Sequence, residues 1–126
     1  MNEKDIKSLR PGAASPSPVR TLRAGAIEIN LQRSIATVHD KPIKLTTKEF
    51  ELLRELMETR GEVLSREFLL EKIWGYGKAS EVDSRTIDVH IQRLRQKLGA
   101  EGGHILTVKN VGYRFDIFYN WIKFGA

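Results

Sequence analysis

The sequence contains no cysteine, which excludes a disulfide framework and thiolate metal ligation and suits a reducing, cytoplasmic setting. No apolar run approaches the roughly 20 residues that cross a bilayer. The opening Met1-Asn2-Glu3-Lys4-Asp5 lacks the apolar stretch of a secretory signal, so no membrane partner is expected. Histidine is scarce: His39, His90 and His104 lie far apart, without the paired spacing of a metal site. Neither G-x-x-x-x-G-K-[ST] nor G-x-G-x-x-G occurs, which removes the usual signatures of nucleotide binding. No set of converging catalytic groups is visible. The expectation is a non-enzyme without cofactor or metal.

What is present is charge, unevenly placed. The 126 residues carry a net +5, and residues 1–47, 48–83 and 84–126 carry net +4, −3 and +4. An acidic middle beside a basic C-terminal third suits a polyanion met by one face. Random clustering of charge produces the same totals, so the sum alone decides nothing.

Three of the four prolines fall within residues 10–18 beside Gly and Ser, a composition that cannot bury a core. Residues 1–24 are therefore expected to be a flexible linker or tail, residues 25–116 one domain, and residues 117–126 a second, apolar tail. From Ile27 the pattern alternates through Ile29 and Leu31, then Ile35 and Val38, then Ile43 and Leu45. Turn-compatible pieces at Gln32-Arg33-Ser34 and Asp40-Lys41-Pro42 predict three short antiparallel strands. Thr46-Thr47-Lys48-Glu49 reads as a capping box ahead of Phe50, Leu52, Leu53, Leu56 and Met57, with Gly61 as terminator. Ser65 caps a shorter helix carrying Phe68, Leu69, Leu70, Ile73 and Trp74, which Gly75 ends. A third helix is predicted over about 84–98, stopped by Gly99. Ile105-Leu106-Thr107-Val108 and Tyr113-Arg114-Phe115 then form a hairpin around Lys109-Asn110-Val111-Gly112.

Ile87, Ile91, Leu94 and Leu98 form one stripe of the third helix. At about 100° per residue, Arg85, Thr86, Val89, Gln92, Arg93 and Gln96 face away from it, with Asp88 and Arg95 on the flank. Arg suits guanine, Gln suits adenine, and Thr or Val methyl groups suit the thymine methyl. Val89 is an aliphatic side chain in a polar face, as though something covers it. Two capped helices before this one and a basic hairpin after it match a helix-turn-helix that reads a major groove. The competing reading is a helix that binds a partner protein, for which a more apolar outward face is expected.

Residues 84–98 together with Thr107-Val108-Lys109-Asn110-Val111-Gly112-Tyr113-Arg114-Phe115 resemble the effector domain of OmpR/PhoB-type response regulators. Leu45-Thr46-Thr47-Lys48-Glu49-Phe50-Glu51-Leu52-Leu53 and Gly61-Glu62-Val63-Leu64-Ser65-Arg66 match earlier segments of the same family. The resemblance covers about residues 25–116. It implies an α+β winged helix-turn-helix: a four-stranded antiparallel sheet, a three-helix bundle and a C-terminal β-hairpin wing. It implies base contacts from Thr86, Asp88, Val89 and Arg93, with Lys109 replacing an arginine often found at the wing tip. Gln92 stands where relatives are often basic, so it either drops a backbone contact or becomes a base contact. Phosphate contacts are implied for Trp74, Arg85, His90, Arg95, Thr107 and Tyr113. The implied partners are double-stranded DNA in direct-repeat half-sites, a tandem second copy on that DNA, and RNA polymerase through loop 75–83. With some 24 residues ahead of the fold, no receiver domain is expected within this sequence, and the chain is expected to be monomeric off DNA.

Overall fold

Residues 21–43 alternate between apolar and polar side chains, and they form four short strands: β1 (Thr21–Ala24), β2 (Ile27–Asn30), β3 (Ile35–Val38) and β4 (Lys41–Ile43). The computed structural model describes residues 21–75, 77 and 82–117, so the linker before residue 21, the tail from 118 and most of loop 75–83 lie outside the described residues. The sheet is antiparallel in the order β1-β2-β3-β4. Its register pairs Leu22 with Ile29, Ile29 with Ala36, and Ala36 with Ile43, which lays one apolar row across a single face. The fourth strand implied by the family resemblance is β1, and it takes up Thr21–Ala24, which composition had grouped with the N-terminal tail.

The turn between β3 and β4 falls at His39-Asp40 rather than at Asp40-Lys41-Pro42. Both residues have positive φ, 51° and 64°, the signature of a two-residue type I′ turn matched to strand twist. Pro42 then sits within β4, a sheet edge where its missing N–H costs no ladder bond.

Helix α1 (Thr47–Glu58) begins with the predicted capping box. The Glu49 N–H donates to Thr46 Oγ1 at 3.2 Å, and the Thr46 N–H donates to Glu49 Oε1 at 2.9 Å. The helix stops at Glu58, ahead of Gly61, and the chain reverses through Arg60 and Gly61 at φ 52° and 99°. Helix α2 (Arg66–Trp74) starts at Ser65, whose hydroxyl oxygen accepts from the Phe68 N–H at 3.0 Å. Leu69, Leu70 and Ile73 of α2 are buried, whereas Phe68 is exposed. Helix α3 (Arg85–Leu98) buries Ile87, Ile91, Leu94 and Leu98 against α1, as the stripe predicts.

A 3₁₀ turn at Gly99–His104 leads into β6 (Ile105–Val108) and β7 (Gly112–Phe115). The hairpin is not two-stranded. A two-residue strand, β5 (Leu64–Ser65), pairs with β7 to give the order β5-β7-β6. At that pairing Gly112 passes so close to Leu64 that a Cβ would lie 1.9 Å from the Leu64 carbonyl oxygen. One core joins both sheets and all three helices, with Ile27, Leu52, Leu53, Leu56, Ile91, Leu94 and Phe115 fully buried.

Candidate nucleic-acid interface

The face of α3 opposite its buried stripe is polar and open. Arg85, Gln92, Arg93 and Gln96 are exposed, Thr86 is half-buried, and Val89 is 44% exposed among them. Arg85 projects from the first turn, where its backbone N–H donates to Asp83 Oδ1 at 2.9 Å. Asp83 therefore caps α3, while the Ser84 side chain makes no cap bond. Lys109 is exposed at the tip of the β6–β7 hairpin, next to Asn110 at φ 65°, a left-handed conformation that Asn tolerates.

Behind this face, α3 is clamped to the hairpin and to α2 by side chains of mixed charge. The Arg95 guanidinium donates through Nε (3.1 Å) and Nη2 (2.7 Å) to the Ile105 carbonyl, and through Nη2 to Thr107 Oγ1 (2.9 Å). Three of its five N–H groups are thus used inside the protein, leaving the two on Nη1 outside these bonds. Thr107 accepts from Arg95, so its hydroxyl hydrogen remains available to an external acceptor.

Asp88 lies on the flank of α3. Its Oδ1 accepts from Arg66 Nε at 2.7 Å and from the Tyr113 hydroxyl at 2.6 Å. Burial alone raises a carboxyl pKa, but the Tyr113 hydroxyl and the Arg66 guanidinium outweigh it and hold Asp88 below the usual carboxylate range. Burial first and the Asp88 bond second push the Tyr113 phenol up. The bond to Asp88 raises Arg66 further. Both Arg66 and Arg95 place their guanidinium groups over the Tyr113 ring, at 5.4 and 5.6 Å from its centre. Tyr113 is 4% exposed, and its single O–H is taken by Asp88.

His90 and Trp74 form a second junction. The rings meet edge to face with centres 5.0 Å apart, and Lys48 Nζ lies 5.3 Å from the Trp74 ring while donating to the Ile73 carbonyl at 2.7 Å. His90 Nδ1 donates to the Thr86 carbonyl at 2.8 Å, since a carbonyl oxygen only accepts. Its Nε2 is therefore a donor only when the ring carries a second proton.

Of the residues singled out in the sequence, Arg85, Thr86, Val89, Gln92 and Arg93 share one outward face, and Lys109 stands at the hairpin tip. Arg95, Thr107 and Tyr113 meet at the junction of α3 with the hairpin, while Trp74 and His90 meet at the junction with α2. Arg66, which sequence reasoning passed over, belongs to this assembly. Its partners are 22 residues or more away along the chain, and no local spacing announces them. Among the described residues, no group of three or more His, Asp or Glu side chains is placed to hold a metal ion.

The family described as "Transcriptional regulatory protein, C terminal" matches residues 40–115. The chain is 37% identical over 98 residues to the sensory transduction protein RegX3 of Mycolicibacterium smegmatis, a match spanning 75% of this chain and 42% of that protein. It thus spans less than half the length of this curated relative. Among solved structures, it resembles the DNA-binding domain of Klebsiella pneumoniae RstA in complex with the RstA box. That similarity has a TM-score of 0.67 at 32% identity and covers 79% of this chain and 99% of that one. The DNA-binding domain of CpxR from E. coli is similar at a TM-score of 0.67 and 35% identity, covering 79% of this chain and 97% of that one. The four-stranded sheet, the helix-turn-helix pair α2–α3 and the hairpin behind it, matched at this identity, make the chain a member of the OmpR/PhoB-type transcriptional regulator family, corresponding to its C-terminal winged-helix domain.

Proposed function

We propose that this chain binds double-stranded DNA sequence-specifically as the effector domain of a two-component transcriptional regulator, with α3 in the major groove and the β6–β7 hairpin at the adjacent minor groove. The observation that carries this reading is the outward face of α3, where an exposed Val89 stands among Arg85, Gln92 and Arg93 on a helix whose other face is wholly buried. An aliphatic side chain there gains by contact with a thymine methyl, and its neighbours are types that read base edges. A protein-binding helix is expected to present more apolar surface than this. That the RstA domain was solved on its own DNA box supports the same reading.

Thr86, Val89, Gln92 and Arg93 are assigned to base edges and Lys109 to the minor groove. Arg85, Arg95 and Thr107 are assigned to phosphates. Trp74 and His90 flank the same backbone, and His90 donates to a phosphate only as the imidazolium. Tyr113 reaches the phosphate zone through the arginines it orders, since its own proton is committed to Asp88. Direct-repeat half-sites, a tandem second copy and an RNA polymerase contact through loop 75–83 complete the proposal, in a cytoplasmic setting and without catalytic activity. Salt titration tests it. With about five phosphates neutralised, log K against log salt falls with a slope near −4 to −5. A slope near zero on duplex DNA overturns the DNA reading.

A further inference from the structure

The carboxylate of Asp88 is the one acidic side chain of α3, and α3 is the element proposed to meet a polyanion. Left to itself there, it repels phosphate. In the structure it is occupied from two sides, by Arg66 at the start of α2 and by Tyr113 on β7. Arg66 is itself mostly covered, with its side chain 23% exposed and its guanidinium lying over the Tyr113 ring. In a helix-turn-helix the helix before the recognition helix crosses the phosphate backbone. The N-terminus of α2, where Arg66 sits, is therefore where an untethered guanidinium meets phosphate whatever the base sequence.

Resting on the DNA reading above, we propose that Asp88 is a positioning residue that sets specificity by restraint: it withholds Arg66 from the phosphate backbone and locks α3 to the hairpin through Tyr113. The restraint removes one sequence-independent contact. It also fixes the angle at which Arg93 and Val89 are presented, because one carboxylate oxygen ties α3, α2 and β7 together. The discrimination between sites thus gains twice, through weaker background binding and through a fixed helix setting. Asp88 serves the readout without needing to touch a base.

Restraint and a direct base contact make opposite predictions for Asp88→Asn, which keeps the shape and removes the charge. Affinity is measured across a salt series on the preferred duplex and on a scrambled duplex of equal length, in the wild-type background and in Arg66→Met. Under restraint, Asp88→Asn tightens scrambled-duplex binding about 3- to 10-fold and steepens its salt slope by about 0.9, one added phosphate contact. The preferred-to-scrambled ratio falls by at least the same factor. In the Arg66→Met background the same substitution changes scrambled binding less than about twofold, because no guanidinium remains to be released. A gain that persists undiminished in Arg66→Met reflects charge removal alone and overturns the proposal. So does a loss confined to the preferred duplex with an unchanged salt slope, which marks a direct base contact. Circular dichroism melts set a temperature at which all four proteins are folded, so the comparison stays among native states. Failure of the wild type to bind any duplex in a salt-dependent way overturns the DNA reading itself, and is thereby distinguished from failure of the restraint.

Discussion

Arg93 and Arg95 sit two residues apart on α3, yet the fold gives them different work. Arg93 is exposed on the outward face, while Arg95 is half-buried and holds the Ile105 carbonyl and Thr107. Arg93→Ala is expected to cost about 1–3 kcal/mol on the preferred site and much less on unrelated DNA, with the melting temperature unchanged. Arg95→Ala is expected to weaken all duplexes alike, to lower the salt slope by about one, and to lower the melting temperature by leaving a carbonyl unpaired. Equal losses on every sequence for both variants sink the assignment of α3 to the groove. A third charged residue acts on stability alone. Glu49 is 2% exposed, and its Oε1 accepts from Lys97 at 2.6 Å as well as from the Thr46 N–H. Burial pushes its pKa up, but Lys97 and Thr46 prevail and hold it below 4.5. A lowered folded-state pKa contributes stability that is complete above pH 4.5 and is lost as pH falls through the folded value. Glu49→Gln keeps a capping acceptor and removes the charge. Its expected loss is about 1–2 kcal/mol at neutral pH, with a flatter decline on acidification, read from denaturant melts at several pH values. A variant that matches the wild-type acid profile refutes that role for Glu49.

At the scale of elements, the hairpin is held less by its own pairing than by what runs alongside it. β7 lies between β6 and β5, and the missing Cβ of Gly112 permits the approach of β5 at Leu64–Ser65. Gly112→Ala places a methyl group inside contact distance of backbone atoms that have no free side-chain end to yield. The substitution is expected to destabilise by at least about 2 kcal/mol and to lower the melting temperature by roughly 10 °C or more. A melt within a degree or two of wild type refutes the close approach. The same strand carries Tyr113, which engages Asp88, and Phe115, which stacks on His104 with ring centres 5.0 Å apart. His104 faces the Glu101 carboxylate through Nε2, and Glu101 Oε1 also accepts the Ala26 N–H at 3.0 Å. These bonds fasten the N-terminal sheet to the hairpin through the 3₁₀ turn. Gly99 stops α3 at φ 62°, with open space where a Cβ would stand. Gly102 instead packs against Arg95, where a Cβ would meet the Arg95 carbonyl oxygen at 2.6 Å.

At the scale of the molecule, charge differs from helix to helix: α1 carries net −2, α2 is neutral with Arg66 and Lys72 against Glu67 and Glu71, and α3 carries net +3. Such an arrangement orients the chain on a polyanion before close contact is made. One helix and one hairpin cover a short site, so occupancy of two half-sites in direct repeat is expected to be cooperative. Sedimentation is expected to give a monomer at micromolar concentration without DNA and two copies per duplex with a repeat. A tight DNA-free dimer, or equal affinity for one half-site and two, refutes this arrangement.

The features legible in the sequence are those written into short spacings. The capping box at Thr46–Glu49, the Ser65 cap and the Ile87–Ile91–Leu94–Leu98 stripe depend on residues three to seven apart, and each stands where it was read. The same is true of the outward face of α3, because a buried stripe fixes its opposite. What the tertiary structure alone decided joins residues far apart in the chain. Two-residue β5 has no periodicity to detect and exists only because β7 lies beside it. Nor does an Asp on a helix flank announce whether its carboxylate meets a base, water or an arginine 22 residues away. A charged side chain has the same identity whether solvated or paired, and only the packing of α2, α3 and β7 determines that Asp88 is paired.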